Sequence, residues 1–311
     1  MPRIGRSEID IHPLCLGGNV FGWTSDRETS FSILDEFMAR GGDFIDTADS
    51  YSQWVPGHTG GESESILGDW IAERGNRSRV IIATKVGHKG DRPGLSRANI
   101  IAACDESLAR LQSDYIDVYY CHRDDPDVPM EETLAALAEL VHAGKVRVIA
   151  ASNFSTERLA QALAISASHG LPRYEAVQPH YNLLVRDEYE GPMAELCAAE
   201  SVSCFPYYTL GAGFLTGKYR TMEDAQEVAR GARVSQYIDD RAWRILAAMD
   251  QVVESTGATH AAVAIAWLSA QPTVTAPIAS ASRPSQLDDM FAAMSLSLPA
   301  EDLALLDAAS A

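Results

Sequence analysis

The chain has 311 residues, 46% of them hydrophobic, which is enough to bury one large core. Its 43 acidic residues against 25 basic ones give a net charge of −18, and so acid a chain repels nucleic acid and anionic membrane. Five cysteines (Cys15, Cys104, Cys121, Cys197 and Cys204) are odd in number and contain no C-x-x-C pair, which argues against a disulfide framework and a structural zinc.

Short apolar runs alternate with helical patterns from end to end. The runs His12–Leu16, Phe44–Asp46, Val80–Thr84, Ile116–Tyr120, Val146–Ala151, Ala176–Gln178, Ser203–Pro206 and Val274–Ile278 read as strands. Several are β-branched and apolar throughout, as parallel strands buried on both faces are. Helical spacing appears over Thr29–Arg40, Ser96–Leu111, Met130–His142, Thr156–Ser168, Asp187–Glu200, Arg241–Thr256, Ala258–Ala270, Pro284–Met294 and Glu301–Ala309. Gly41-Gly42 and Gly144 follow two of these as stop signals. Eight strands alternating with helices predict a closed parallel (β/α)8 TIM barrel or a doubly wound sheet. The gap between strand ends near 207 and 278 is too long for one strand–helix unit, and 211–240 within it reads as an inserted loop over the barrel mouth. The polar stretch Met1–Asp10 has no apolar signal core, and no apolar run nears the ~18 residues of a membrane span. A cytoplasmic protein is expected. Oligomeric state is not legible.

Polar residues gather just after the predicted strands. Asp46-Thr47-Ala48-Asp49-Ser50-Tyr51 follows the second, Thr84-Lys85 ends the third, and Cys121-His122-Arg123-Asp124 ends the fourth. Ser152-Asn153 and Gln178-Pro179-His180 follow the fifth and sixth. Taken singly, each has a packing explanation: Asp46 as a turn cap, His122 as a satisfied core histidine, Lys85 as one half of an ion pair. Five consecutive strand ends of this kind are hard to explain by packing, because unpaired polar burial is costly. In a barrel they converge on the face where active sites lie.

These segments resemble the aldo-keto reductase superfamily. The similarity is carried by FIDTADSY, TKVG at 84–87, YYCHRDD at 119–125, SNF at 152–154, VQPHYNLL at 177–184, PYYTLGAGFLTGKY at 206–219 and PIASASRPSQL at 277–287. It runs from about Ile4 to Leu306, so residues 1–311 are expected to form one barrel. The resemblance implies a catalytic tetrad of Asp46, Tyr51, Lys85 and His122. Tyr51 would give a proton to a carbonyl oxygen as hydride reaches its carbon. A free tyrosine has a pKa of about 10, and an ammonium at Lys85 is expected to lower it. Asp46 would hold the lysine, and His122 would hydrogen-bond the carbonyl oxygen.

The resemblance also implies a nicotinamide cofactor, NADPH, with NADH as the alternative. Ser152, Asn153 and Gln178 would hold its carboxamide and Tyr207 would lie against its ring. Leu210, Gly211 and Lys218 would follow the pyrophosphate. Ser280, Ser282, Arg283, Gln286 and Asp289 would surround the adenosine end, with Arg283 on a 2′-phosphate. No G-x-G-x-x-G follows an early strand, so a Rossmann site is not expected. Met290 and Ser280 depart from the family pattern and put cofactor affinity in question. Phe21, Trp23 and Trp54 are candidates for the substrate pocket, whose occupant would be a small carbonyl compound, sugar-like or hydrophobic. No metal is implied. Two other readings remain: a slow nucleotide-binding regulatory subunit, as in potassium-channel β subunits, and a metal-assisted barrel hydrolase recruiting Asp46, His122 and His180.

Overall fold

The computed structural model describes residues 1–226 and 231–311. Among the described residues ten strands form: β1 Cys15–Gly17, β2 Phe44–Asp46, β3 Ile81–Val86, β4 His88–Lys89, β5 Arg92–Pro93, β6 Ile116–Cys121, β7 Val146–Ser152, β8 Tyr174–Gln178, β9 Ser203–Cys204 and β10 Ile278–Ala279. Strands β4 and β5 make a separate antiparallel hairpin. The other eight pair in parallel in the order β10-β1-β2-β3-β6-β7-β8-β9. The ring closes between β9 and the chain leading into β10. Cys204 bridges Val274, Thr275 N donates to Cys204 O at 2.9 Å, and Ile278 N donates to Pro206 O at 3.0 Å. The result is a single (β/α)8 barrel.

Both faces of the barrel strands are buried, which explains their unbroken apolar runs. One set of side chains, including Cys15, Phe44, Tyr120, Ala150 and Phe205, fills the interior, where Phe44 and Phe205 meet edge to face at 5.0 Å. The N-terminal turn adds Ile4, Ile9 and Ile11 to that cluster as a plug. The alternate residues, among them Leu16, Ile45, Tyr119 and Cys121, face the helices. Buried Asp117 pins the strands at one end by accepting from Arg77 Nη2 at 2.8 Å, Arg147 Nη1 at 2.7 Å and Ile82 N at 2.9 Å.

The helices outside the barrel are α1 Arg27–Ala39, α2 Glu62–Arg74, α3 Arg97–Leu111, α4 Met130–His142, α5 Thr156–His169 and α6 Pro192–Glu200. After β9 come short helices α7 Met222–Gln226 and α8 Gly231–Ser235, then α9 Asp240–Thr256, α10 His260–Ser269, α11 Leu287–Ser295 and α12 Ala300–Ser310. The local chemistry sets their starts: Asp26, Ser96, Ser155, Asp239 and Thr259 each accept a backbone N–H from the first turn. Several boundaries differ from expectation. The helix expected from Asp187 begins at Pro192, since Gly191 with φ 80° is not helical. Pro284–Gln286 is a 3-10 turn ahead of α11. The first strand lies later than His12–Leu16, and the eighth is reduced to two residues, with Val274 making only a bridge. Within the expected insertion 211–240, residues 227–230 lie outside the described residues; the rest includes a 3-10 turn over Gly211–Thr216 and the two short helices.

Helix α2 and the β4–β5 hairpin were not expected. Gly68 lets α2 approach α3 closely: a Cβ there would lie 2.0 Å from Arg110 O and 2.8 Å from the Leu111 carbonyl carbon. Gly68→Ala should therefore destabilise the fold, although alanine is the better helix former by about 1 kcal/mol. Overpacking against backbone typically costs ~1–3 kcal/mol, so thermal unfolding should show a lowered Tm. A raised Tm would mean that the helices separate at no cost.

Candidate active site

The carboxyl ends of β2, β3 and β6 bring Asp46, Tyr51, Lys85 and His122, the expected tetrad, together. Register does this: Asp46 pairs with Ala83 across β2 and β3, and Lys85 lies two residues on, so both side chains point into the same end of the barrel. Lys85 is fully buried and Asp46 is 2% exposed. The ammonium donates to Asp46 Oδ2 at 2.6 Å, to Thr47 O at 2.7 Å and to Tyr51 Oη at 2.9 Å, which satisfies all three of its donors. Asp46 Oδ2 also accepts from Tyr51 Oη at 3.1 Å, while Oδ1 accepts from Gln178 Nε2 at 2.8 Å. The Lys85 Nζ stands 4.6 Å from the centre of the Tyr51 ring.

The expected depression of the tyrosine pKa is corrected by this geometry. Tyr51 is pushed well above its ordinary value, first by burial and then by the Asp46 carboxylate. The ammonium does not reverse this because it is itself compensated: Asp46 and Lys85 together carry no net charge. Burial also lowers the Lys85 pKa, with Asp46 opposing the shift. His122 is driven well below its ordinary value by burial, then by the charges of Lys85 and its neighbours, so its imidazole is neutral. Its Nδ1 lies 3.4 Å from Ser50 Oγ and its ring meets that of Tyr51 edge on at 6.1 Å.

Above the tetrad opens a cleft of about 700 Å³. Ser152, Asn153, Gln178, Tyr207, Leu210, Lys218, Ser280, Ser282 and Gln286 line it. Asn153 takes a left-handed conformation (φ 56°), which asparagine tolerates better than most residues. There it ties three strand ends together: Nδ2 donates to His122 O at 2.7 Å and to Ser152 Oγ at 3.0 Å, and Oδ1 accepts from Tyr207 Oη at 2.9 Å. Tyr207 is backed by His180 in a stack of 5.2 Å and 15°. His180 in turn lies 2.9 Å from Tyr237 Oη, and burial lowers its pKa to about 4. Ser282 N and Oγ both donate to Gln286 Oε1.

Gly211, Arg283 and Asp289 are not part of the cleft lining. Arg283 is exposed, donates from Nε to Ser285 Oγ at 3.2 Å, and is not drawn to Asp288, which Arg40 holds at 2.7 Å. Ser280 turns its hydroxyl to Asn19 Oδ1 at 2.7 Å, and Gly17 makes room for it: a Cβ at Gly17 would meet that oxygen at 2.4 Å. Met290 is buried in the core. Of the substrate candidates, Trp54 lines the cleft and Trp23 packs edge on against it at 5.5 Å. Phe21 is fully buried in the core and does not reach the cleft; its carbonyl accepts from Ser52 Oγ. Asn19, Ser50, Gln53, His88, Arg123 and Arg233 also line the cleft without having been singled out. Ser50 and Arg123 stood inside motifs already noted, whereas His88 and Gln53 depend on the unexpected hairpin.

Fold and site together are those of a (β/α)8 oxidoreductase. The chain belongs to the aldo/keto reductase family, whose sequence profile matches residues 13–311. It is 32% identical to Protein tas of Escherichia coli, over 98% of this chain and 96% of that protein. It is 31% identical to the norsolorinic acid reductase stcV of Emericella nidulans, over 95% and 77%. It is 30% identical to a probable voltage-gated potassium channel subunit beta of Arabidopsis thaliana, over 94% and 90%.

Behind the tetrad, Asp49 is 1% exposed and its Oδ1 has no hydrogen-bond partner. Burial, reinforced by Glu64, raises its pKa to about 7, against the pull of Arg110, Lys89 and Arg92. The folded protein then keeps a proton that the unfolded chain loses at a pH of about 4. Folding binds more protons in that window, so stability is lost as pH rises from about 4 to about 7. Asp49→Asn removes the buried charge, and its advantage over the wild type in thermal unfolding should be greater at pH 8 than at pH 5. An advantage independent of pH would show that Asp49 does not titrate in that window.

Proposed function

We propose that this oxidoreductase reduces an aldehyde or ketone to the alcohol with NADPH, Tyr51 acting as the general acid. The observation that carries the reading is the chain Asp46–Lys85–Tyr51, buried and fully hydrogen-bonded directly beneath an open cleft. The cleft residues fit a dinucleotide. In a chain of net charge −18 the cleft is lined by Arg123, Lys218 and Arg233, and its one carboxylate, Asp46, is neutralised by Lys85. Such a basic channel attracts phosphates. A bound nicotinamide would supply the hydride. Ser152, Asn153 and Gln178 would hold its carboxamide and Tyr207, backed by His180, would support its ring. Lys218, with Leu210 and Gly211, would meet the pyrophosphate, and Ser280, Ser282, Arg283, Gln286 and Asp289 the adenosine end.

The protein's own groups handle the proton. A phenol whose pKa is raised stays protonated at neutral pH and is ready to donate at Oη. Asp46 and Lys85 keep that oxygen in place. The neutral His122 imidazole can donate one N–H to the carbonyl oxygen, which fixes the oxygen beside Tyr51 and polarises the bond. As the carbonyl carbon takes the hydride, its oxygen takes the Tyr51 proton, and the phenolate formed beside the Lys85 ammonium is reprotonated from solvent.

Tyr51→Phe should lower carbonyl reduction by at least ~10²-fold and leave cofactor binding nearly unchanged. Near-normal turnover would remove Tyr51 from the mechanism. With the phenol pKa raised, reduction should show no loss from Tyr51 through the neutral range, while alcohol oxidation, which needs the phenolate, should climb with pH. Lys85→Met leaves Asp46 uncompensated and should push that oxidation limb to still higher pH. An unmoved limb would assign it to another group.

Arg283 decides cofactor choice. It carries no carboxylate partner among the described residues and stands at the start of a proline-led turn. Removing one charge-assisted contact to a 2′-phosphate typically costs ~1.5–3 kcal/mol, roughly 10- to 150-fold in affinity. Arg283→Ala should weaken NADPH by that order and barely affect NADH, as read by tryptophan fluorescence titration. Equal losses for both cofactors would refute the phosphate contact.

The similarity to a potassium channel subunit beta favours a second reading, a nucleotide-holding regulatory subunit with slow turnover. A single-turnover burst followed by negligible steady-state reduction would support it. The hydrolase reading finds little support: among the described residues no three metal-binding side chains gather, and His180 is engaged with Tyr237 and Tyr207. Nothing in the described chain is long and apolar enough to cross a membrane as a helix. A cytoplasmic setting accords with five buried free thiols.

A further inference from the structure

The cleft continues past the tetrad to Arg123, the residue after His122. Its side chain is exposed to the cleft, and its charge reaches His88 and His122, where it adds to the lowering by burial, and Tyr207, where it opposes a rise that burial causes. Two acids follow it directly, yet neither neutralises it. Asp124 is held by Arg158, with Nε at 2.7 Å and Nη2 at 2.9 Å. Asp125 accepts from Leu95 N at 2.7 Å and from Asp127 N at 3.2 Å. Among the described residues, Arg123 forms neither an ion pair nor a side-chain hydrogen bond.

The surroundings give this cation a direction. His88 stands beside His122, ring centres 5.2 Å apart, and is kept neutral by burial and by Arg123. The hairpin that carries His88 is latched by Gln53, which donates to His88 O at 3.3 Å and accepts from Gly90 N at 2.9 Å. Trp54, edge on to Tyr51 at 6.3 Å, adds an aromatic face. Arg123 follows β6, on the side of the mouth that holds Tyr51 and His122. The segments suited to cofactor phosphates follow β9, beyond β7 and β8 in the ring, and β10, which pairs with β1. An arginine so placed is a fork for a planar anion next to the reacting carbonyl.

We propose that Arg123 is a specificity-determining residue of this site, holding the carboxylate or phosphate of an anionic aldehyde or ketone whose carbonyl oxygen lies at Tyr51 and His122. This deepens the carbonyl-reductase reading and rests on it. The physiological substrate class is then the anionic carbonyl compounds, and neutral aldehydes are poor substitutes.

The test uses three benzaldehydes that differ only in the para group: 4-carboxybenzaldehyde, 4-formylphenyl phosphate and the neutral methyl 4-formylbenzoate. Steady-state reduction with saturating NADPH is measured for the wild type, Arg123→Met and Arg123→Lys. The wild type should favour at least one anion over the ester by ~10-fold or more in kcat/KM, mainly through KM, and the favoured anion tells carboxylate from phosphate. Arg123→Met should bring the anion-to-ester ratio close to one, and Arg123→Lys should restore part of it. No anion preference in the wild type, or an equal fall for all three substrates in Arg123→Met, would overturn the assignment. If no carbonyl is turned over, the reductase reading fails on its own. Quenching of tryptophan fluorescence by terephthalate then decides the anion site: saturable binding lost in Arg123→Met supports it, and binding that is absent or unchanged refutes it.

Discussion

An ammonium group shut away from water needs a countercharge and three acceptors, and Lys85 has both at the closed end of the cleft. Desolvating the lysine and its aspartate costs several kcal/mol per ion, which only close, well-directed contacts can offset. Asp46 supplies the charge, Thr47 its carbonyl and Tyr51 its hydroxyl, so the pair stands only while the 46–51 turn holds its shape. Gln178 reaches from β8 to the second Asp46 oxygen, which makes the arrangement depend on strands from across the barrel. A one-residue slip of β3 against β2 would carry Lys85 to the helix-facing side and strand the carboxylate. Barrel register and site geometry are thus one constraint.

The same constraint sets the protonation states. A dry region whose single cation and single anion cancel resists any further charge. Tyr51 therefore stays a phenol and His122 a neutral imidazole, each against a different ordinary value. Both residues line the cleft in their uncharged forms, Tyr51 with its hydroxyl on Asp46 and Lys85, His122 with Nδ1 near Ser50. On the proposed mechanism, the ammonium hydrogen-bonded to the phenol would matter less for lowering its resting pKa than for steadying the phenolate once the proton has left.

Much of this was legible in the chain because it rests on local patterns. Strand ends that combine apolar runs with Asp46, Lys85, His122, Asn153 and Gln178 gave both the barrel and the grouping of its polar residues. What escaped was whatever breaks its own pattern. Helix α2 starts after a glycine with φ 92° and has no side-chain cap, and it carries Ser63 and Glu64 at fully buried positions. Those polar groups are satisfied from elsewhere, Ser63 by Thr47 and Gly18, Glu64 by Thr84 and Arg110, so the apolar periodicity that marks a helix is interrupted. The hairpin 88–93 is held by Gln53, a contact over 35 residues that no local signal announces. Phe21, an aromatic after the first strand, reads as well for a pocket wall as for core; only the packing of the loop places it inside. The direction of the Tyr51 pKa is set first by burial and then by the Asp46 carboxylate, and the depth of burial is not legible in the spacing of Asp46, Tyr51 and Lys85.

Charge is distributed in a way that follows from these facts. Helix-surface pairs such as Arg27 with Asp69, Arg97 with Glu139 and Lys145 with Asp105 cancel, and the surplus of acid over base includes exposed residues outside such pairs, among them Glu8, Asp114, Glu131, Glu254 and Glu301. Exposed pairs of this kind add little to stability. The unpaired acids make the exterior negative around a cleft whose uncompensated side chains, among the described residues, are Arg123, Lys218 and Arg233, all positive. An anionic ligand is repelled by the bulk of the surface and attracted at one opening, and low-dielectric walls focus that attraction. A dinucleotide and an anionic carbonyl compound share this requirement. If both bind as proposed, two anions sit side by side over a buried region that tolerates no net charge. Separate cations in the cleft, Arg123 after β6 and Lys218 after β9, would allow both to bind without either being drawn down onto the tetrad.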